Sequence, residues 1–220
     1  PPTYPCGPYV GTVPVEAGGT YTLRVEPEAL PVATATVTVP KRPQVVATEE
    51  TGAADGPRRF RVRLTDRAGQ GDLYGLSLLR MITYLETVEC DETGCVETTR
   101  TSRGLTSFDT SDPVLLSAAA EIDGSITFVS FTDETFDGQE KAFTISADSR
   151  YGHEDLDRRQ TLQVAALSGD IYDTYRIEYF SGGDDNPFAE PINLPSNVVG
   201  GYGLVGAVTL AEVTFEPRER

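Results

Sequence analysis

Basic side chains are scarce in this chain. Its 220 residues carry 18 Lys+Arg against 34 Asp+Glu, a formal net charge of -16. Such a surface repels phosphate backbones and anionic lipid, which sets nucleic acid aside as a partner. Lys41 and Lys141 are the only lysines, and this arginine bias fits the codon usage of a GC-rich genome. Histidine is scarcer still. His153 stands alone in the acidic turn Tyr151-Gly152-His153-Glu154-Asp155. A Ser-His-Asp triad would have to use it, yet no G-x-S-x-G elbow occurs, so it reads as a solvated surface histidine. Cysteine is limited to Cys6, Cys90 and Cys95, too few with one histidine for two Cys/His pairs around a tetrahedral metal. No apolar run reaches the length of a membrane span. No signal peptide is present and the chain opens Pro1-Pro2-Thr3, which leads us to expect a processed product or a fragment.

What is abundant is turn and strand chemistry: 21 Gly, 15 Pro and many Thr, Val and Tyr. Residues 9–16 and 20–26 are strand candidates around Glu16-Ala17-Gly18-Gly19, and Val32 to Val39 is a third. Pro40, Lys41, Arg42 and Pro43 then break the pattern. We expect residues 1–43 to be the C-terminal part of an Ig-like sandwich plus linker, and residues 44–220 a larger antiparallel β domain. Three strands cannot close a sandwich alone, so further strands or docking on the larger domain must complete the first unit. In the second part, Phe60 to Leu64 alternates strictly. Leu73 to Val88 is a long apolar stretch that could be read as a helix, but its β-rich end, Ile82 to Val88, and the matching arm Val96 to Thr101 favour a long hairpin with Cys90-Asp91-Glu92-Thr93-Gly94-Cys95 near its tip. A disulfide across that tip fits an oxidising compartment and leaves Cys6 without a partner. Val114 to Ala120 is a short helical turn. Ser125 to Phe131, Ala142 to Ala147, Thr161 to Ala166 and Gly203 to Phe215 are strands. Ser168 to Tyr179 is one short helix, whose Tyr172/Tyr175/Tyr179 stripe reads as core packing before it reads as a ligand platform.

Candidate chemistry is thin. Gly201-x-Gly203-x-x-Gly206 matches the dinucleotide fingerprint literally, but a strand-like run follows where a helix is required. The plainer expectation is a glycine-rich bend leading into the last strand. Paired carboxylates for glycoside hydrolysis cannot be singled out among 34 acids. Calcium is the one cofactor considered, with Asp133, Glu134, Asp137 and Glu140 as candidate ligands and Asp184 and Asp185 second. Their spacing is not that of an EF-hand, and a solvated turn is the default.

Several segments, taken in order, carry a resemblance. They are Gly18-Gly19-Thr20-Tyr21-Thr22-Leu23-Arg24-Val25, then Phe131-Thr132-Asp133-Glu134-Thr135-Phe136-Asp137-Gly138, then Leu167-Ser168 with Tyr172 and Tyr175. Last come Asn186-Pro187-Phe188-Ala189-Glu190-Pro191 and Ser196-Asn197 with the bend at Gly201 and Gly203. Together they resemble domain-of-unknown-function family 4249, Bacteroidota outer-membrane lipoproteins encoded near TonB-dependent receptors. The resemblance implies an Ig-like or carboxypeptidase-regulatory-like sandwich before a larger β domain, and a lipidated N-terminal cysteine. This sequence departs from it: Cys6, in Tyr4-Pro5-Cys6-Gly7, is not a lipobox, and we expect the front of the first domain to lie outside the 220 residues. The family brings no catalytic residues to carry over.

The expectation is thus an all-β protein: a partial sandwich, then a barrel-like or two-sheet domain with one short helix. Its role would be that of a non-enzymatic envelope or cell-surface protein accessory to a TonB-dependent receptor in nutrient capture. A membrane tie would run only through an upstream lipid anchor. The alternative is a subunit of a surface filament or adhesive assembly, self-assembling through exposed strand edges. A surface glycan hydrolase comes third.

Overall fold

The computed structural model describes residues 11–217 apart from 29, 51, 53–55, 70, 92–93, 120–125, 148–154 and 181–194. Its strands are β1 (Thr20–Val25), β2 (Ala33–Thr38), β3 (Gln44–Glu50), β4 (Arg58–Thr65), β5 (Leu73–Asp91), β6 (Gly94–Thr106), β7 (Asp109–Thr110), β8 (Phe128–Thr132), β9 (Glu140–Ala147), β10 (Asp155–Leu167) and β11 (Val208–Phe215). Two helices, α1 (Pro113–Ala119) and α2 (Gly169–Phe180), interrupt them. All strand pairings are antiparallel. The protein is all-β.

Alternation builds the core. Along β4, Arg58, Phe60, Val62 and Leu64 are buried while Arg59, Arg61 and Arg63 face water. Period two puts each set on its own side of the pleat. β4 is central in a four-stranded sheet of order β3-β4-β9-β7, where Phe60 stands opposite Ile145 and Val62 opposite Phe143. The facing sheet runs β11-β10-β5-β6, with β8 beside the first residues of β5. Its inner face offers Tyr74, Leu76 and Leu78 from β5, Leu162 and Val164 from β10, and Val129 and Phe131 from β8, all in one buried cluster with the β4 and β9 side chains. Phe60 and Phe215 lie 4.4 Å apart between ring centroids, and Phe131 meets Phe143 edge-on at 6.2 Å. Each such side chain contributes about 1.5–3 kcal/mol by leaving water.

Of the two forms expected for the larger domain, the sheets make the two-sheet one. β11 lies against β3 at one seam, but the two exchange no ladder bonds, so the described strands do not close a barrel. β5 outruns the sandwich. It pairs with β8 through Ser77 and then with β6 from Leu78 to the Cys90–Cys95 pair, and beyond Leu78 none of its described side chains is fully buried. The expected long hairpin is therefore present as a projecting ribbon.

Three expectations need correction. Residues 11–16 form no strand, and residues 9 and 10 lie outside the described set. The turn at 114–120 is a second true helix, α1, with Pro113 first and the Asp112 carboxylate accepting the Val114 N–H at 2.9 Å. The last strand begins at Val208 rather than Gly203, whose φ of 136° is unsuited to a strand.

β1 and β2 form a separate two-stranded sheet. One face is a threonine ladder, with Thr20–Thr38 and Thr22–Thr36 hydroxyls 2.9 and 3.0 Å apart. The other face sets Tyr21, Leu23 and Val25 against Val37, Ala35 and Ala33, and Leu23 and Val25 remain about half exposed. Thr34 and Val199 exchange two backbone bonds, 2.9 and 2.8 Å, which join this sheet to the C-terminal third of the chain.

Candidate functional site

Two features stand apart from ordinary packing. The first is acidic and caps one end of the sandwich. Asp66 ends the β4 run, Asp72 precedes β5, and Asp133 and Asp137 occupy the turn after β8. One carboxylate oxygen from each of Asp66, Asp133 and Asp137 lies within 4.8 Å of the others. Two of the four sequence candidates for calcium, Asp133 and Asp137, are thereby brought together, and Asp66 joins them. Glu134 points elsewhere, into a cleft described next, and Glu140 is exposed at the start of β9. Nothing in the local sequence links Asp66 to Asp133 and Asp137, 67 and 71 positions away.

Most of this acidity is engaged within the chain. Asp66 accepts the Tyr74 hydroxyl at 2.6 Å and the Gly138 N–H at 2.8 Å. Asp133 accepts the Asp72 N–H at 2.8 Å, and Asp137 accepts the Gly69 N–H at 2.6 Å. Asp72 pairs with Arg67 at 3.1 Å. Burial raises the Asp72 carboxyl above the ordinary aspartate range; Arg67 works against that rise while Asp66 and Asp133 add to it. Burial, and then the bond to Asp66, push the Tyr74 hydroxyl far above the usual tyrosine range, so it stays a donor. The carboxylates thus staple the β4–β5 and β8–β9 turns together. A calcium ion takes six to eight oxygens, and the three clustered aspartates would supply only part of that shell.

The second feature is an open cleft of about 310 Å³ between α1, β8 and α2. β8 turns Val129 and Phe131 into the core, which leaves Phe128, Ser130 and Thr132 on its outer face. α2 crosses that face with Tyr172, Tyr175 and Arg176, at helical spacing. Gly75 in β5 makes room for the Phe128 ring, since a Cβ there would come within 2.8 Å of it. The Phe128 and Tyr175 rings lie 4.8 Å apart, and the Arg176 guanidinium sits 5.8 Å from the Tyr172 ring centre. Burial raises the Tyr172 hydroxyl, with Arg176 lowering it and Glu134 raising it further. The tyrosine stripe divides: Tyr172 is 8% exposed and belongs to the core, whereas Tyr175 is 41% exposed at the cleft.

The glycine-rich fingerprint is a packed corner. Asn197 donates to Asp170 at the start of α2 (2.8 Å) and to the Val205 carbonyl (2.7 Å), and it accepts the Val205 N–H (2.9 Å). Gly200 has φ +82°, and a Cβ there would lie 2.2 Å from the Val32 carbonyl oxygen; one on Gly206 would lie 2.0 Å from Ile171. Gly201 packs on Ala33, and Gly203 donates its N–H to the Ser196 hydroxyl at 3.3 Å. After Ala207 the chain enters strand β11, so the dinucleotide motif lacks its helix.

Cys90 stands directly opposite Cys95 in the β5–β6 register. Cys6, His153, Asp184, Asp185, Asn186, Pro187, Phe188 and Pro191 lie outside the described residues. Among the described residues, no helix is long and apolar enough to cross a membrane, a statement that does not extend to strands.

No curated protein and no solved structure is similar enough to this chain to count as a match. The family described as Domain of unknown function (DUF4249) matches residues 3–213, nearly the full length, and the chain belongs to that family.

Proposed function

We propose that this protein is a non-enzymatic envelope or cell-surface component that helps a TonB-dependent outer-membrane receptor capture a nutrient. The observation that carries the capture role is the α1–β8–α2 cleft. It offers exposed aromatic surface beside hydroxyl and charged groups, a combination suited to holding a small molecule. The acidic cap supports a binding scaffold more than a hydrolase. Its carboxylates hold backbone N–H groups at 2.6–2.8 Å and fix the loops next to the cleft. Calcium at Asp66, Asp133 and Asp137 would be structural under this proposal. The receptor tie is tested by affinity purification of the tagged, full-length protein from native membranes. Recovery of a TonB-dependent receptor is the expected result, and repeated recovery of none counts against the proposal.

An oxidised Cys90–Cys95 pair belongs to the same proposal. Directly opposed residues on antiparallel strands have Cα atoms about 4.5–5.5 Å apart, inside the disulfide range. A mass measurement before and after reduction, following alkylation, reads it directly.

The filament or adhesin role is favoured by a different observation. β1 has one edge without a described strand partner, and the same sheet exposes Leu23 and Val25. Sedimentation across a wide concentration range distinguishes it, since a subunit assembles and a solitary receptor accessory stays monomeric.

A further inference from the structure

We infer that the α1–β8–α2 cleft binds an uncharged pyranose sugar, as a single ring or a disaccharide. The inference rests on the capture role and names its ligand. Tyr175 carries it. Its ring packs against that of Phe128, with centres 4.8 Å apart and planes tilted by 40°, while the residue remains 41% exposed at the cleft. A packed yet partly exposed aromatic ring at the cleft suits the C–H face of a pyranose, which is apolar in the centre and hydroxylated at the rim.

The surrounding groups match that rim. Ser130 and Thr132 alternate outward along β8, and Thr135 and the exposed Glu134 carboxylate follow on the next turn. Hydroxyls both donate and accept, and a carboxylate accepts from sugar hydroxyls. Other ligand classes fit less well. A phosphorylated compound would meet one guanidinium in the lining and a protein of net charge -16. A free amino acid needs a cation for its carboxylate, but Arg176 is already engaged with Tyr172. An acyl chain would strip water from Glu134 and the hydroxyls with nothing in return. The volume of about 310 Å³ is at the small end of ligand pockets, which limits the site to a short saccharide.

The test is saturation-transfer NMR with the purified protein against D-glucose, D-galactose, D-mannose, N-acetyl-D-glucosamine and their disaccharides, with free amino acids as a second panel. At least one sugar should bind through its ring protons. Tyr175→Ala should weaken that sugar about tenfold, Glu134→Gln should weaken it less, and neither should move the thermal midpoint appreciably. Should Tyr175→Ala prove unstable, Tyr175→Ser and Thr132→Val take its place. No saturation transfer from any sugar, transfer unaffected by the cleft variants, or binding confined to amino acids each overturns the inference. Receptor recovery from membranes with Tyr175→Ala separates the two ideas: recovery without sugar binding leaves the receptor role standing and removes the sugar.

Discussion

Tyr74 and Asp66 form a polar pair inside the core. Tyr74 is 1% exposed, its ring packs beside Phe131 and Phe136, and its hydroxyl reaches Asp66 at 2.6 Å. Replacing it by phenylalanine keeps the ring and removes one donor from a buried carboxylate. A hydrogen bond to a charged group contributes about 1.5–3 kcal/mol. Tyr74→Phe should therefore lower stability by about that much in urea unfolding, and a change under ~0.5 kcal/mol would show that water replaces the hydroxyl without cost. Asp72, 3.4 Å from the same hydroxyl, supplies a pH signature. Its folded carboxyl holds a proton more tightly than the ordinary value of 3.8, chiefly through burial. The stability tied to that proton is complete below 3.8 and is lost as pH rises through the higher folded-state value. Asp72→Asn removes this titration. The stability of the variant relative to the parent should rise with pH from 3.8 upward and then level off; a flat or falling difference refutes the assignment.

At the scale of elements, the glycine corner is the part most open to mutation. Gly200 combines φ +82° with a Cβ position 2.2 Å from the Val32 carbonyl oxygen. That oxygen is backbone and cannot swing aside, so Gly200→Ala must shift the corner or break the Thr34–Val199 bridge. We expect a loss of about 1–3 kcal/mol and faster amide exchange at Thr34 and Val199, with β4 and β10 unaffected. Gly201→Ala is the contrast, since its neighbours at 3.3–3.4 Å are side-chain methyls that need move only slightly. This corner also marks how far the sequence could be read. Alternation exposed β4 and β1, because a half-buried strand writes its period into the chain, while the long hairpin was legible from the β-rich end of its apolar run and the matching second arm. A bend before the last strand was legible from glycine density. The partners of that bend were not, since Asn197–Asp170 and Thr34–Val199 join residues 27 and 165 positions apart. For the same reason Asp133 and Asp137 stood out as candidates while Asp66 did not. β3 passed unnoticed because Glu49 and Glu50 close it, and Glu49 turns out to be the partner of a buried arginine.

That arginine works at the scale of the whole molecule. The sandwich has one seam where its sheets meet edge to edge, β3 against β11, with no ladder bonds across it. Arg58 occupies an inward position of β4 and is 4% exposed. Its Nε donates to Glu49 of β3 at 3.0 Å, and one Nη donates to the Glu216 carbonyl just past β11 at 2.8 Å. The guanidinium also lies 5.4 Å from the Phe60 ring centre, and Phe60 meets Phe215 of β11. One side chain therefore ties both sheets where the backbone does not. Arg58→Met preserves the apolar stem and removes the guanidinium that faces Glu49. Breaking a buried pair from one side costs about 3–5 kcal/mol, and the lower end applies because the Glu49 side chain keeps 21% exposure. The double variant Arg58→Met, Glu49→Leu should recover most of that loss, since it removes the carboxylate that faced the guanidinium as well. It should not restore the tie to Glu216. Hydrogen exchange should then stay elevated at the Phe215 end of β11 in both variants, although only the single variant loses most of its urea resistance. Parent-like stability of both variants would mean that the seam is closed by Phe60 and Phe215 alone and that the ion pair adds nothing to it.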